Sequence, residues 1–538
     1  MYSDLLYETA HTIYEQWAWW WEGSNKRDEL DRAILAVSMV ILAIFWYIWT
    51  SMKSRTGMAP LPPGPHGLPI VGYLPFLGTN LHITFAELAR RYGPIYKLWL
   101  GKKLCIVLSS PSLAKEVVRD QDTSFANRDA TIAALAVSYG GLDIAWSSYG
   151  SYWRTMRKVF VREMLSNTNL EACYDLRQEE VRKTIRDVYA NIGKPMDIGK
   201  IIFLTELNAV MSMLWGGTIE GEKNSSVGDE FQEVIEKIIE IIAKPNISDF
   251  FPMLARFDIQ GVERQAKKLL VWVDRILDAV IDERMRLDGG EGLGMSKDKE
   301  RKDFLQICLE LKEQEDTASP ITLTQIKAML MDIVVGGTDT TATMAQWVMA
   351  ELMRHPGVMK KVQEELAEVV GMNIVDESHI PKLQYLDAVV KETFRLHPAL
   401  PLLVPKSPSQ SCTVGGYTIP KNTKVFLNVW AIHRDPELWD DPSEFKPERF
   451  LSEPGKWDYY GNNLQYLPFG SGRRICAGLP LAERMLMYIL ASLLHSFEWQ
   501  MPKGEELDLS EKFGIVMKKT TSLIAIPSQR FASLDLYA

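Results

Sequence analysis

A cysteine in a glycine-rich loop that runs directly into an apolar helix is the feature that most restricts the fold of this chain. The loop reads PFGSGRRICAG, Pro468–Gly478, and leads into LPLAERMLMYILASLL. Its three glycines let backbone come close to a flat ligand. A thiolate at Cys476 would lie near the positive end of the helix and accept backbone N–H bonds, which lowers its pKa. Such a thiolate suits iron, although a cysteine considered alone is more often structural.

Length, charge and cysteine content restrict the class of protein. The 538 residues include 46% hydrophobic and 24% charged side chains, which is ordinary for a folded protein with a large core. The net charge of -9 argues against a nucleic-acid binder, because such a protein needs a basic field against the phosphates. Five widely spaced cysteines without a C-x-x-C pair fit neither a disulfide framework nor a zinc knuckle, and indicate a reducing compartment.

An uncharged apolar segment near the N-terminus predicts a membrane anchor. Ala33–Trp49 reads AILAVSMVILAIFWYIW, and Thr50–Met52 extend it toward the ~20 residues that span a bilayer. Basic residues flank both ends, so charge alone leaves the orientation open. We predict a transmembrane helix over 33–52, a lumenal or interfacial segment over 1–32, and a basic, proline-rich hinge over 53–72.

The chain after the hinge shows no second linker and no internal repeat, so residues 73–538 are predicted to form one catalytic domain. Helical patterns dominate it. Two short strand pairs are expected, Ile95–Leu100 with Leu104–Leu108 and Cys412–Ile419 with Thr423–Leu427. These are too few for a parallel α/β sheet, and the predicted class is mainly α with small β-sheets.

A glycine-rich stretch, Leu287–Lys302, superficially resembles a dinucleotide loop. No strand precedes it and a charged run follows, so it is interpreted as a flexible loop between helices. The chain is therefore expected to bind neither nicotinamide nor flavin itself.

A long apolar helix is predicted from a capping box at Thr322 and Gln325 to about His355. GGTDTT lies at its middle, and Thr340 follows Gly336 by four residues on the same face. Two glycines inside a helix indicate a kink or a close neighbour. A gap at Gly336 under the Thr340 hydroxyl is a candidate dioxygen groove, with Asp339 as a proton relay. Close helix packing at the glycines is the alternative.

Two further patterns are weak when taken singly. KETFRLHP places Glu392 and Arg395 three residues apart on one helix face, and exposed pairs of this kind are common. Trp153 and Arg157 lie four residues apart, so that one hydrogen-bond donor stands above another.

The cysteine loop resembles the haem-binding loop of the cytochrome P-450 superfamily, and the resemblance extends over nearly all of residues 60–530. It implies the cytochrome P-450 fold, with haem b held between the long central helix and the helix after the cysteine loop. Cys476 would be the fifth, metal-binding ligand of the iron and favour O–O cleavage. The other haem-binding residues that the resemblance implies are Arg474, Trp153 and Arg157 at the propionates, together with Phe469 and Gly478 in the loop.

The same resemblance assigns roles to the other motifs. Gly336, Asp339 and Thr340 would activate oxygen, while Glu392 and Arg395 would join Arg449 of the segment Pro447–Phe450 in a structural network behind the cysteine loop. Plant relatives usually have arginine or histidine where this chain has Lys406, so a propionate contact there is left open.

Substrate choice in this family belongs to loops around the cavity. By position the pocket residues would be Leu135, Trp146, Ile333, Leu400, Leu402, Leu403, Val404 and Ile515. This aliphatic set favours a compact hydrocarbon or weakly oxygenated substrate. Segments such as KLWLGKKLC and FPMLARFDIQG resemble a plant microsomal group that includes δ-cadinene hydroxylase, which implies hydroxylation of a sesquiterpene or monoterpene. Hydroxylation of a flavonoid or another phenolic is the alternative.

The partners implied by the resemblance are O2, a small hydrophobic substrate and an NADPH-cytochrome reductase, which would supply NADPH electrons. The catalytic domain would face the cytosol from the endoplasmic reticulum membrane. Arg473 and Arg484 could offer the reductase a cationic patch. Two other functions stay open: a reductase-independent haem isomerase, and a non-catalytic haem or ligand sensor.

Overall fold

The computed structural model describes residues 33–42, 45, 59–216, 225–288, 303–313, 321–453 and 455–537. The chain divides into two units, Met1–Pro60 and Leu61–Ala538. In the smaller unit, Ala33–Leu42 form a helix with exposed apolar side chains. Most of the rest of the predicted span, the segment 1–32 and the hinge as far as residue 58 lie outside the described residues.

Helices make up most of the larger unit, as predicted. Those that the structure describes are Leu81–Tyr92, Pro111–Lys115, Ile132–Val137, Ser151–Val159, Asn167–Ala172, Tyr174–Ala190, Ile198–Trp215, Ser225–Ala243, Ile247–Phe250, Val262–Asp288, Phe304–Glu313, Leu323–Arg354, Pro356–Val369, Gln384–Leu396, Val429–Ile432 and Leu479–Ser496. Two of them continue as π-helical turns, Glu116–Asp120 and Phe160–Met164.

Leu323–Arg354, which we call the central helix, begins and ends where the sequence predicts. Thr322 Oγ1 accepts from the backbone N–H of Gln325, and Gln325 Oε1 accepts from the backbone N–H of Thr322 at 2.9 Å. The helix is unbroken through its two glycines. A Cβ on Gly337 would lie 3.6 Å from Val210 Cγ2, so this glycine faces a close neighbour rather than a kink.

Ile198–Trp215 is the helix that packs against the central helix at this point. Among the described helices it alone is long and apolar enough to cross a membrane, but it is 72% buried inside the protein. Its apolar surface therefore belongs to the core, in the same cluster as Met329, Ile333 and other buried residues of the central helix.

The described strands form small sheets. They are β1 Ile95–Leu100, β2 Lys103–Leu108, β3 Asn127–Arg128, β4 Met196–Asp197, β5 Lys406–Ser407, β6 Cys412–Val414, β7 Tyr417–Ile419, β8 Lys424–Leu427, β9 Phe497–Gln500, β10 Glu511–Lys512, β11 Lys518–Lys519 and β12 Ile524–Gln529. Five of them form one sheet in the order β1-β2-β8-β5-β3, and the others form sheets of two or three strands.

One predicted strand pair is confirmed and the other is wrong. β1 and β2 are antiparallel neighbours, as expected. Cys412–Ile419, however, forms a hairpin of its own, β6 with β7, because Gly415 and Gly416 both adopt positive φ at its turn. β8 is thereby free to pair in parallel with β2 and antiparallel with β5.

Candidate active site

A largely apolar cavity of ≈ 330 Å³ lies between the central helix and the cysteine loop. It brings together most of the predicted site residues, although they are far apart in sequence. Those that line it are Cys476, Gly478, Arg474, Phe469, Arg157, Gly336, Thr340, Ile333, Leu400, Leu403 and Val404.

The thiol of Cys476 faces this cavity from its loop. Backbone N–H groups of Gly478 and Leu479 point at the sulfur, as the helix-start argument predicts. The expected lowering of the pKa is nevertheless wrong for the free thiol. Burial raises the pKa of Cys476, and the two N–H groups and the Arg157 guanidinium offset this only in part. A bound cation such as ferric iron would tip the balance toward the thiolate.

The Arg474 side chain extends from the cysteine loop and binds backbone carbonyls of two other segments. Its three guanidinium nitrogens donate to Ala126 O at 2.6 Å, Ile144 O at 3.0 Å and Ser147 O at 2.6 Å. The guanidinium lies 4.4 Å from the ring centre of Trp153. These contacts fix the cysteine loop to the segments that carry Ala126, Ile144 and Ser147.

Of the predicted pair Trp153 and Arg157, only Arg157 lines the cavity. The indole of Trp153 donates to Ile144 O at 3.0 Å and is not among the cavity-lining residues. Arg157 lines the cavity and donates to Ile475 O at 2.6 Å. The propionate contact of Trp153 therefore stays a prediction.

Four cations line one end of the cavity, and sequence reasoning did not identify all of them. Arg128 was missed, and Lys406 was left open; the others are Arg157 and Arg474. Strand β3 pairs with β5 in a register that puts Arg128 opposite Lys406. Burial and the other arginines lower the pKa of Arg128 to about 9. No local motif marks Arg128, because only the pairing of two-residue strands brings it to the site.

Lys406 carries the clearest sign of an anionic ligand. Its side chain is buried, it lines the cavity, and its Nζ has no hydrogen-bond partner among the described residues. Burial, followed by the charge of Arg128, lowers the pKa of Lys406 to about 7. A buried ammonium without a partner is costly, and the two carboxylates of haem would supply the missing charge. The residues present therefore fit the haem that the resemblance implies.

The three oxygen-site residues do not all face the cavity. Gly336 and Thr340 line it, and Thr340 Oγ1 donates to Gly336 O at 2.7 Å. Asp339 is buried outside the cavity wall and accepts from Lys518 Nζ at 2.5 Å, while its Oδ2 has no partner in the described part of the chain. Burial raises the pKa of Asp339, and Lys518 opposes that shift. Proton relay by Asp339 stays a prediction.

Glu392, Arg395 and Arg449 form a buried ion network behind the loop. Arg395 Nε donates to Glu392 Oε2 at 2.7 Å, and Arg449 Nε donates to Glu392 Oε1 at 3.1 Å. Arg395 also donates to the carbonyls of His433 and Pro442, each at 2.8 Å. The network therefore joins Gln384–Leu396 to the irregular segment before the cysteine loop, and it does not line the cavity.

The predicted substrate pocket is met only in part. Ile333, Leu400, Leu403 and Val404 are on the cavity wall. The structure does not bring the other four there: Leu135 is 40% exposed, Leu402 packs in a separate small cluster with Phe85, and Trp146 and Ile515 lie outside the wall. Within the turn Ala399–Val404, Leu403 and Val404 line the cavity while Leu402 does not, so a segment's proximity does not place every side chain.

Two acids on the wall, the half-buried Asp332 and the buried Glu206, were not predicted. Asp332 precedes Gly336 by one helical turn, and Glu206 comes from Ile198–Trp215. Burial raises the pKa of Asp332 to about 6, and burial likewise raises the pKa of Glu206. A four-residue spacing from Gly336 is the signal that could have identified Asp332.

Known proteins resemble this chain along most of its length. A family model described as Cytochrome P450 matches residues 62–525. A flavonoid 3'-monooxygenase of Crocosmia x crocosmiiflora is 37% identical over 510 residues, which cover 93% of this chain and 98% of that protein. Geraniol 8-hydroxylase of Catharanthus roseus is 36% identical over 505 residues, which cover 93% of this chain and 100% of that protein.

The fold is also similar to solved structures. A zebra fish cytochrome P450 determined with abiraterone superposes with a TM-score of 0.69 at 27% sequence identity. The match covers 84% of this chain and 100% of that chain.

Proposed function

The chain belongs to the cytochrome P450 family and is a haem-thiolate monooxygenase, and from this premise we propose that it hydroxylates a small terpenoid of plant specialised metabolism. The observation that carries the proposal is the aliphatic part of the cavity wall. Ile333, Leu400, Leu403 and Val404 offer no hydrogen-bonding side chain to a substrate. A compact hydrocarbon with few oxygens loses little on entering such a space.

The residues of this chain hold the parts of the reaction in place. Cys476 would ligate the iron of the haem, and Arg128, Arg157, Lys406 and Arg474 would bind its two carboxylates. When bound, the haem supplies oxygen activation with electrons from NADPH, delivered by a reductase partner. The N–H groups of Gly478 and Leu479 would moderate the electron donation of the Cys476 thiolate to the iron.

The central helix supplies the space for oxygen and the groups that would deliver protons. Gly336 leaves space next to the cavity, since nothing lies within 4 Å of the position that its Cβ would take. The Thr340 hydroxyl donates to Gly336 O in this structure, and rotation of the hydroxyl would let it donate into the cavity instead. Asp339 would return protons to Thr340 from the side of Lys518.

The finer substrate assignment is supported by sequence and by one relative. Geraniol, named as the substrate of the Catharanthus roseus enzyme, is a compact, weakly oxygenated molecule of the kind that this wall accepts. The segments KLWLGKKLC and FPMLARFDIQG support a sesquiterpene, as in the δ-cadinene hydroxylase group.

A flavonoid hydroxylase is the second candidate, because the Crocosmia x crocosmiiflora relative carries that function at 37% identity. A flavonoid has several hydroxyls that would need partners on the wall. Asp332 and Glu206 are the acids available there.

Turnover of a matched panel tests the proposal. The full-length protein in membranes, with a plant NADPH-cytochrome reductase, is given geraniol, δ-cadinene, naringenin and coniferaldehyde under air. We expect NADPH-dependent hydroxylation of a terpene and little of the two phenolics. Turnover confined to naringenin or coniferaldehyde would overturn the terpenoid assignment. Turnover driven by a hydroperoxide without reductase would favour an isomerase, and substrate binding without NADPH consumption would favour a sensor.

We also propose attachment to the endoplasmic reticulum membrane with the domain in the cytosol. The exposed apolar helix Ala33–Leu42 supports the anchor, and Ile70, Met253 and Phe257 add exposed apolar side chains on the domain, 73%, 74% and 58% accessible. Each such side chain that enters the lipid adds to the buried apolar area and so strengthens membrane binding. Removal of residues 1–58 is expected to shift the protein from the membrane pellet toward the supernatant, and an unchanged distribution would contradict the anchor.

The reductase contact at Arg473 and Arg484 stays a proposal. Arg473 lies near Asp122, and Arg484 lies 3.8 Å from Glu377, so both charges are partly offset. Arg473→Glu is expected to lower reductase-supported turnover at low salt while leaving the carbon monoxide spectrum intact. Unchanged turnover would remove Arg473 from the contact.

A further inference from the structure

The backbone segment Leu142–Ser147, which we call the strap, forms part of the cavity wall through Ile144 and Ala145. Its carbonyls are bound by cations that face the haem end. Ile144 O accepts from Arg474 Nη1 at 3.0 Å, and Ala145 O accepts from Arg128 Nε at 3.3 Å. The strap therefore helps to fix two of the four cations of the cavity.

The amides of the same two residues are bound from the other side. Asp332, on the central helix, accepts on its Oδ2 from the backbone N–H of Ile144 at 2.8 Å and from that of Ala145 at 3.1 Å. Asp332 also lines the cavity, one turn before Gly336. The strap thus links the central helix to Arg474 and Arg128.

A second carboxyl group, that of Asp143, lies close enough to Asp332 for the two to affect each other's ionisation. Asp143, in the strap itself, is buried and accepts from the backbone N–H of Trp146 at 3.0 Å. Burial, and then the nearby charge of Asp332, raise the pKa of Asp143. The two carboxyls repel each other when both are ionised, so a neutral side chain of the same shape is tolerable at either position.

We propose that Asp332 is a positioning residue that seats the strap, so that one contact sets both the shape of the substrate side of the cavity and the grip of Arg474 and Arg128 on the haem. It acts through the two amides that it binds and not through direct contact with reacting atoms. The inference rests on the proposed assignment of this cavity as the haem and substrate site.

Two readouts on the full-length holoenzyme test the link. The first is the rate of haem transfer to excess apomyoglobin. The second is the spectral dissociation constant for 4-phenylimidazole, which ligates the iron from the substrate side. Asp332→Ala is expected to speed haem loss and weaken azole binding by at least ~10-fold each, because hydrogen bonds from two amides to a carboxylate are lost together. Asp332→Asn keeps one acceptor oxygen and is expected to remain within about threefold of wild type.

A matched control separates this effect from loss of any buried acid. Asp249 is buried and, like Asp332, accepts from a backbone amide, that of Ile132 at 2.8 Å, yet it does not line the cavity. Asp249→Asn and Asp249→Ala are expected to change neither readout by more than about threefold. Hydrogen exchange adds a local measure: the amides of residues 142–147 should exchange faster in Asp332→Ala, while a peptide spanning Glu392 and Arg395 should not.

The outcomes are distinguishable. If Asp332→Ala changes only one of the two readouts, or neither, the link is wrong. If it yields no folded haemoprotein, Asp332→Ser, whose hydroxyl stops short of the amides, is expected to show both losses, and wild-type values there would refute the proposal. A wild-type protein without the thiolate-type carbon monoxide spectrum would instead refute the assignment of the cavity itself.

Discussion

Replacement of Lys406 tests most directly whether the cationic end of the cavity holds the haem carboxylates. The ammonium is buried without a described partner, and its pKa is lowered to about 7 from an ordinary value of 10.5. Bound carboxylates would restore the charged form and bring its pKa back toward the ordinary value. Haem binding should therefore be accompanied by proton uptake at Lys406 above neutral pH.

The sign and size of the pH effect follow from that difference. Below about pH 7 the ammonium is charged with or without haem, so the affinity does not depend on its titration. Above pH 7, binding must first recharge the lysine, which costs about 1.4 kcal/mol per pH unit. Between pH 7 and pH 9 the affinity for haem is expected to fall by up to ~100-fold, mostly through faster dissociation.

The assay is haem transfer to excess apomyoglobin at a series of pH values. Wild-type protein should lose haem faster as pH rises, Lys406→Arg should lose it slowly with little pH dependence, and Lys406→Met should lose it quickly at every pH. Lys424→Arg is the control, since Lys424 is a buried cation of the same sheet that is paired with Asp129 at 3.1 Å. A wild-type pH profile in Lys406→Met would refute the reasoning.

Three other substitutions test separate parts of the site. Cys476→Ser is expected to abolish the thiolate-type carbon monoxide spectrum of the reduced protein, because a serine oxygen cannot replace the sulfur as electron donor; persistence of that spectrum would exclude Cys476 as the ligand. Glu392→Ala leaves Arg395 buried and unpaired and is expected to lower the free energy of unfolding by about 3–5 kcal/mol in chemical denaturation, whereas a loss comparable to that of the exposed control Glu364→Ala would show the network to be dispensable. Lys518→Met removes the charge that opposes the burial of Asp339, so the pKa of Asp339 should rise further and the fraction of NADPH recovered as product should hold to higher pH; an unmoved profile would separate Asp339 from proton delivery.

The sequence by itself determined the features that are written into short segments. The cysteine loop, the capping box of the central helix and the Glu392–Arg395 pair each depend on residues within about one helical turn or one loop, so their geometry follows from local backbone preferences. The mainly helical class and the β1–β2 pair were predictable for the same reason.

Only the tertiary structure decided what surrounds these motifs. Arg128, Lys406, Asp332 and Glu206 reach the cavity through strand pairing and helix packing between distant segments, as when the amide of Ile144 meets Asp332 across 188 positions of the chain. Such contacts leave no local pattern, because what selects them is the burial of charge and backbone groups that must find partners wherever the fold supplies them. Neighbours far along the chain likewise decided that Asp339 faces Lys518 and that β8 pairs with β2 and β5. Burial in the folded protein decided that the pKa of the Cys476 thiol is raised.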